Sequence, residues 1–295
     1  MGKLVNGAWK IFRKAYATDE SGQKARKKLQ TIWVEKEYST EKGQESFDEL
    51  IPGGVFQSPK PVALIKQLLL LVNDPNATVL DFFAGSGSTA QAVLELNRED
   101  DGRRRFIMIQ LQEPTPEDSL ARKAGFENIA EIGAERIRRV IGRMKKAKTT
   151  KLDRKAGSIE EDLGFRVFKL AESNFKPWRG VGEKTPEAYA AEMTAHVDPL
   201  VHGWKKEDVI YEVAVKEGFG LDSKIAKDAD YRENEIWRVS DPKEQTFLIC
   251  LDEKIKAATI RNLKVTKDDV FVCRDTALND TGAANLALQC NLKTI

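Results

Sequence analysis

Apolar and polar positions alternate along this chain in short bursts, and the spacing within each burst predicts the element it forms. Residues 78–83 are a β-branched and aromatic run bounded by Asn73-Asp74-Pro75-Asn76 and by Ala84-Gly85-Ser86-Gly87, the pattern of a short buried strand. From Ser88 to Asn97 the apolar positions Ala92, Val93 and Leu96 recur at helical spacing, so the reading there is strand, glycine loop, helix. Upstream, Ser58-Pro59-Lys60-Pro61 predicts a helix running to about Val72, with Ser58 as N-cap and Pro59 at the tolerated first position. Downstream, residues 105–111 predict a second apolar strand, and residues 117–146 contain helices with an apolar face at Ile132, Ile137, Val140, Ile141 and Met144. From Gly164 the character changes, with apolar Phe165, Val167 and Phe168, helices near 186–196 and 206–217, and strands at 235–239, 246–251 and 270–273. The expectation is an α/β chain with a second, smaller α/β domain.

Composition narrows the class. Hydrophobic residues make up 41% and charged residues 32% of the 295, which fits a charge-rich globular protein of two domains. The longest apolar run, residues 68–72, falls far short of the roughly 18 residues of a membrane span, and no signal peptide is apparent. Cys250, Cys273 and Cys290 are too few and too scattered for a zinc motif or a secreted disulfide scaffold, which predicts a cytoplasmic protein. The net charge of +2 conceals a block at residues 136–155 with ten Lys or Arg against one Asp. A solvated helix face with a linker and a phosphate-contacting surface fit that block equally well. His196, Asp198 and His202 lack the further ligands a metal centre needs, and Trp178 and Trp204 read as core or interface aromatics rather than base-stacking platforms.

Chemistry concentrates in Asp81-Phe82-Phe83-Ala84-Gly85-Ser86-Gly87-Ser88-Thr89. Gly85 and Gly87 permit positive φ and close approach of a ligand to the backbone, while the following helix offers free N–H groups and its positive dipole end to a carboxylate. Asp81 can accept from a ligand ammonium or brace the loop. The spacing alone is not specific, because Gly85-x-Gly87-x-x-Ala90 also fits the dinucleotide fingerprint.

The neighbours of the loop carry a family resemblance. Ser58-Pro59-Lys60-Pro61, about twenty residues ahead of Asp81, resembles motif X of β-class DNA methyltransferases, and the string from Asp81 to Thr89 resembles their motif I. Leu94-Glu95-Leu96-Asn97 through Arg105-Phe106-Ile107-Met108-Ile109-Gln110-Leu111 is similar to the segment after motif I in modification subunits of type III restriction-modification systems. Trp33-Val34-Glu35-Lys36-Glu37-Tyr38-Ser39-Thr40 resembles the segment that joins target recognition to motif X in the same family. The resemblance covers residues 31–145 and is only general over 150–295. It implies a partial Rossmann-like, S-adenosylmethionine-dependent methyltransferase sheet. Ser58 and Lys60 would lie near the methionine end of the cofactor, Asp81, Phe83, Ala84, Gly85, Ser86, Gly87, Ser88 and Thr89 would line its pocket, and Gln110, or Glu113 in its place, would face the ribose. DNA, a second copy of the chain and a restriction subunit are the implied partners.

One part of the family pattern is missing. The catalytic motif, an Asp, Asn or Ser followed by Pro-Pro and an aromatic residue, aims the target amine's lone pair at the methyl group and stacks on a flipped base. No Pro-Pro occurs here, and Asp74-Pro75-Asn76, Asp198-Pro199-Leu200 and Asp241-Pro242-Lys243 all lack the second proline and the ring. No catalytic residue is therefore assigned. The expectation is a carboxyl-terminal half of an adenine-N6 methyltransferase that holds the methyl donor but needs a missing amino-terminal half to act. Its parts would be a target-recognition remnant at 1–46, the cofactor-binding half at 47–148, a basic linker at 149–163 and an assembly domain at 164–295. A non-catalytic module for dimerisation or docking of a restriction subunit is the alternative from another class, and a dinucleotide-binding enzyme a third.

Overall fold

A computed structural model describes residues 2–5, 8–11, 32–150, 162–178, 180–182 and 184–295, with side chains from 32 to 147 and from 162 onward. The chain divides into two units, Met1–Phe168 and Lys169–Ile295, both mixing helices with sheet. Most of the expected linker at 149–163, and the basic block beyond residue 147, lie outside the described side chains.

The first unit opens with an antiparallel pair, β1 (Gly2–Val5) and β2 (Ala8–Ile11). Helix α1 (Thr40–Asp48) follows, capped by Ser39, whose side chain accepts from Lys42 N. It straddles the boundary expected at residue 46, because Phe47, fully buried, anchors it in the core of this unit. Helix α2 spans Val62–Val72 and ends at Asn73 in the left-handed conformation. Its start corrects the expectation at Ser58: Ser58 is not the N-cap, it has φ +56°, and Pro61 in extended conformation precedes the first helical residue. The physical reason is Pro61, which disfavours helical backbone at Lys60 and so delays the helix until residue 62.

Strand β3 (Thr78–Asp81) leads through the glycine loop into α3 (Ser88–Asp100) and then β4 (Arg105–Met108), which pairs parallel to β3 with Leu80 opposite Ile107. Both strands stop short of the apolar runs that predicted them. Phe106 and Met108 turn inward onto the core, whereas Leu80 and Ile107 are 56% and 50% exposed on the other face. Helix α4 (Leu120–Lys123) is a single turn, and α5 (Ile129–Thr150) begins with a reciprocal cap in which Glu131 N donates to Asn128 Oδ1 and Asn128 Nδ2 to Glu131 Oε1. The apolar face read on α5 is buried at Ile132, Ile137, Val140, Ile141 and Met144, against Phe47, Leu50, Ala90 and Leu94. Leu163 and Phe165 also pack on this core, so they sit with the first unit.

The second unit holds α6 (Pro186–Ala195), α7 (Lys206–Lys216), β5 (Lys224–Lys227), β6 (Ile236–Ser240), β7 (Thr246–Cys250), α8 (Ala257–Asn262), β8 (Val270–Cys273), α9 (Asp280–Ala287) and β9 (Asn291–Thr294). The strands form one sheet in order β5-β6-β7-β8-β9, antiparallel as far as β7 and parallel thereafter. Apolar clusters cover both faces, one around Val209, Val213 and Phe247 and the other around Leu248, Phe271 and Leu286. The cysteines are buried and unpaired, and burial pushes the Cys250 thiol up to about 11 and Cys273 to about 12. Among the described residues no helix is long and apolar enough to cross a membrane, and no group of three or more His, Cys, Asp or Glu could hold a metal ion.

Candidate functional site

Parallel strands β3 and β4 both end at the glycine loop, so the loop's geometry is set by groups that the strand ends deliver. Asp81, the last residue of β3, accepts from Phe83 N at 3.0 Å with one carboxylate oxygen and from Thr89 Oγ1 at 2.6 Å with the other. Of the two roles open to Asp81 from sequence, bracing the loop is the one its hydrogen bonds perform. From β4, Ile109 O accepts from Ala84 N at 3.0 Å, and Gln110 Oε1 accepts from Gly85 N at 2.8 Å. Gln110 thus spends its amide oxygen on the loop, while Glu113 is exposed and its backbone carbonyl accepts from Ile129 N.

Inside the loop Gly87 N donates to Ala84 O at 2.8 Å, with Gly85 at φ +50° and Gly87 at φ +76°. Both values lie in the left-handed region that a side chain strains, which accounts for glycine here. Gly87 is also the N-cap of α3 and provides no side-chain cap, so the first amides of that helix receive no acceptor from the capping position. Close packing from below adds a second constraint: a Cβ on Gly87 would lie 3.0 Å from Gly133 O, and one on Gly133 would lie 2.9 Å from Gly85 O.

The serines of the loop turn inward. Ser86 and Ser88 are buried, and their hydroxyls accept from Arg136 Nη1 at 2.9 and 2.6 Å. Arg136 Nε donates to Gln91 Oε1 at 2.8 Å. The sequence placed Arg136 in a basic surface block, yet it is fully buried, and burial pulls its guanidinium down to about 10. A signal was present in the spacing: Arg136 stands four residues from both Ile132 and Val140, on the apolar face of α5, whereas Arg138, Arg139 and Arg143 do not.

The remaining expected residues surround the loop unevenly. Phe83 is 79% exposed beside Phe82, their ring centroids 5.1 Å apart. Phe56 approaches Gly85, its ring edge 3.5 Å from where a Cβ would sit. Ser58 N donates to Gln44 Oε1 at 3.2 Å, and a Cβ on Gly43 would meet Pro59 O at 2.2 Å, so α1 supports the 56–60 segment from behind. Lys60 is exposed. Elsewhere, Asp198 Oδ2 accepts from Arg274 Nη2 at 3.0 Å, and Trp178 is 55% exposed with its ring edge-on to His196.

Residues 3–121 match the DNA methylase family. The chain is 38% identical over 133 residues to the type III restriction-modification enzyme StyLTI Mod subunit of Salmonella typhimurium, covering 45% of this chain and 19% of that protein. It is 39% identical over 147 residues to the EcoPI Mod subunit of Escherichia phage P1, covering 50% and 21%. The type II methyltransferase M.KpnI of Klebsiella pneumoniae is 31% identical over 134 residues, covering 44% of this chain and 32% of that protein. The matched segment thus spans about a fifth of the two Mod subunits' own length. Over about half its length, therefore, this chain resembles the Mod subunits of type III restriction-modification enzymes, and within it residues 3–121 match the DNA methylase family.

Proposed function

We propose that this chain is the S-adenosylmethionine-binding part of a DNA adenine-N6 methyltransferase, completed by sequence outside these residues that activates the target amine. The observation that carries it is the braced loop: Asp81 holds Phe83 N and Thr89 Oγ1, Gln110 holds Gly85 N, and the uncapped first turn of α3 lies directly behind. These residues fit the methyl donor. The first-turn amides of α3, which have no side-chain cap, and the positive end of its dipole suit the ligand's carboxylate. The exposed ring of Phe83 offers an apolar surface to an adenosyl group. When bound, the donor supplies the methyl group, and this chain's residues bind and orient it.

The same geometry supports the need for a completing half. Parallel sheets are ordinarily covered on both faces, but among the described residues β3 and β4 form a two-stranded sheet whose Leu80 and Ile107 are exposed, with Ile109 and Leu111 continuing the apolar surface. With two strands in this sheet, strand edges are left for pairing. A complementing polypeptide that adds strands and carries the Pro-Pro motif would cover this face and supply the acceptor site. By the same resemblance DNA, a second copy of the chain and a restriction subunit are the proposed partners.

Tritium transfer from labelled S-adenosylmethionine to duplex DNA tests the reading. The chain alone is expected to transfer nothing, and activity is expected to return when a polypeptide bearing the catalytic motif is added. Robust methylation by the chain alone would refute the division of labour, because some other residue set would then activate the amine.

A further inference from the structure

Arg136 is fully buried and has no carboxylate partner among the described residues. Charged side chains are almost never fully buried unless paired. Yet the groups that meet this guanidinium, Gln91 Oε1, Ser86 Oγ and Ser88 Oγ, are all neutral. Its flank lies against the Phe47 ring, with Cζ 5.4 Å from the centroid, and Nη2 is buried with no hydrogen-bond partner. The carboxylate that acts on it through space, Glu95, reaches it only by way of Gln91, whose Nε2 donates to Glu95 at 2.8 Å, and it shares Lys66 with Glu99. Even lowered to about 10, the group keeps its proton at neutral pH.

The position of this cation, which no carboxylate touches directly, is specific. Nη1 touches the serines on either side of Gly87, the N-cap of α3, so a buried positive charge underlies the positive end of a 13-residue helix. Two positive potentials converging on one loop are unfavourable until an anion arrives. Resting on the cofactor reading above, we propose that Arg136 is an electrostatic positioning residue for the ligand's carboxylate. It holds Ser86 and Ser88 in place and supplies the counter-charge from beneath the loop without touching the ligand.

Ligands with and without that carboxylate separate this role from a strut. S-adenosylhomocysteine carries the amino-acid end, whereas methylthioadenosine shares the adenosine and the thioether but lacks it. Arg136→Met is expected to weaken S-adenosylhomocysteine about ten- to thirtyfold by calorimetry and to leave methylthioadenosine within about twofold, as loss of one partly buried charge pair implies. Arg136→Lys should restore most of the preference. Equal losses for both ligands, or none, would overturn the proposal. Ser88→Asp provides a test that does not need Arg136→Met to fold, since it places an anion where Nη1 now meets a hydroxyl. A raised Tm supports a cation that lacks a direct counter-charge, and a lowered or unchanged Tm overturns it. Wild-type protein that binds neither adenosyl ligand would sink the cofactor reading instead, and the charge would then be judged from Ser88→Asp.

Discussion

Replacing Gly133 by alanine tests whether α5 sets the height of the glycine loop. Gly133 lies within α5, where an alanine ordinarily gains about 1 kcal/mol over glycine in helix propensity. At this position the new Cβ would stand 2.9 Å from Gly85 O, 3.6 Å from Gly87 N and 3.7 Å from Ser86 C. The obstacle is backbone, not a flexible side-chain tip, and Gly85 is itself tethered through its N–H to Gln110 Oε1 at 2.8 Å. Relief requires the loop to lift by some tenths of an ångström or α5 to recede from its buried contacts at Ile132 and Ile137. Overpacking of this kind costs about 1–3 kcal/mol. Set against the propensity gain, the net loss of stability is about 0–2 kcal/mol, a fall in Tm of a few degrees at this chain length. If the proposed cofactor site is right, binding should suffer more than folding, because the displaced atoms belong to that site, and a tenfold loss of affinity corresponds to about 1.4 kcal/mol. Gly142, on the same helix with nothing within 4 Å of where an alanine methyl would sit, is the control: Gly142→Ala should raise Tm and leave binding unchanged. Scanning calorimetry and S-adenosylmethionine titration of both variants decide the matter. A Gly133→Ala protein that is stabilised like Gly142→Ala and binds as tightly as the wild type would refute the reasoning.

Four further outcomes are expected. Asp81→Ala removes the brace on Phe83 N and Thr89 Oγ1, and loss of a charge-assisted hydrogen bond of about 1.5–3 kcal/mol should weaken S-adenosylmethionine roughly ten- to a hundredfold by calorimetry. Gly43→Ala drives a methyl to 2.2 Å from Pro59 O, so it should lower Tm by more than Gly133→Ala and alter the environment of Ser58 and Lys60, read by hydrogen exchange of the 56–61 backbone. Glu212 resists burial's upward push through hydrogen bonds from Ser173, Lys216 and Asn174, which hold its carboxyl down at about 2. A depressed carboxylate stabilises above its unfolded value of about 4.5, and the contribution drains away as pH falls through about 2, so the Tm gap between wild type and Glu212→Gln should be full at neutral pH and close on acidification. Residues 169–295, with their own sheet and apolar clusters, should fold alone and self-associate in light scattering, and a folded strict monomer would contradict a dimerisation role.

What was legible in the sequence is what local chemistry fixes. The β-branched run before Gly85, the two glycines and the helical spacing from Ser88 specify strand, loop and helix without reference to anything distant, and the structure forms β3 and α3 there. The buried face of α5 and strands β6, β7 and β8 were likewise readable from apolar periodicity. Strands β5 and β9 were not. Lys224–Lys227 and Asn291–Thr294 are short and polar, and they are strands because β6 and β8 offer them an edge to pair with. The helix start at Ser58 was misread for a related reason: a serine before proline looks like a cap, but the second proline at residue 61 and the Gln44 contact on Ser58 N hold the segment out of the helix. The loop's supports were decided by tertiary structure alone. Gln110 reaches back to Gly85, Gly133 lets α5 close on the loop, and Arg136 leaves its basic neighbours for a neutral, fully buried socket beneath Ser86 and Ser88. The i+4 spacing of Ile132, Arg136 and Val140 encodes that Arg136 is buried, but which groups meet depends on residues 25 to 50 positions apart coming together in space, a relation that spacing along one helix or strand does not encode.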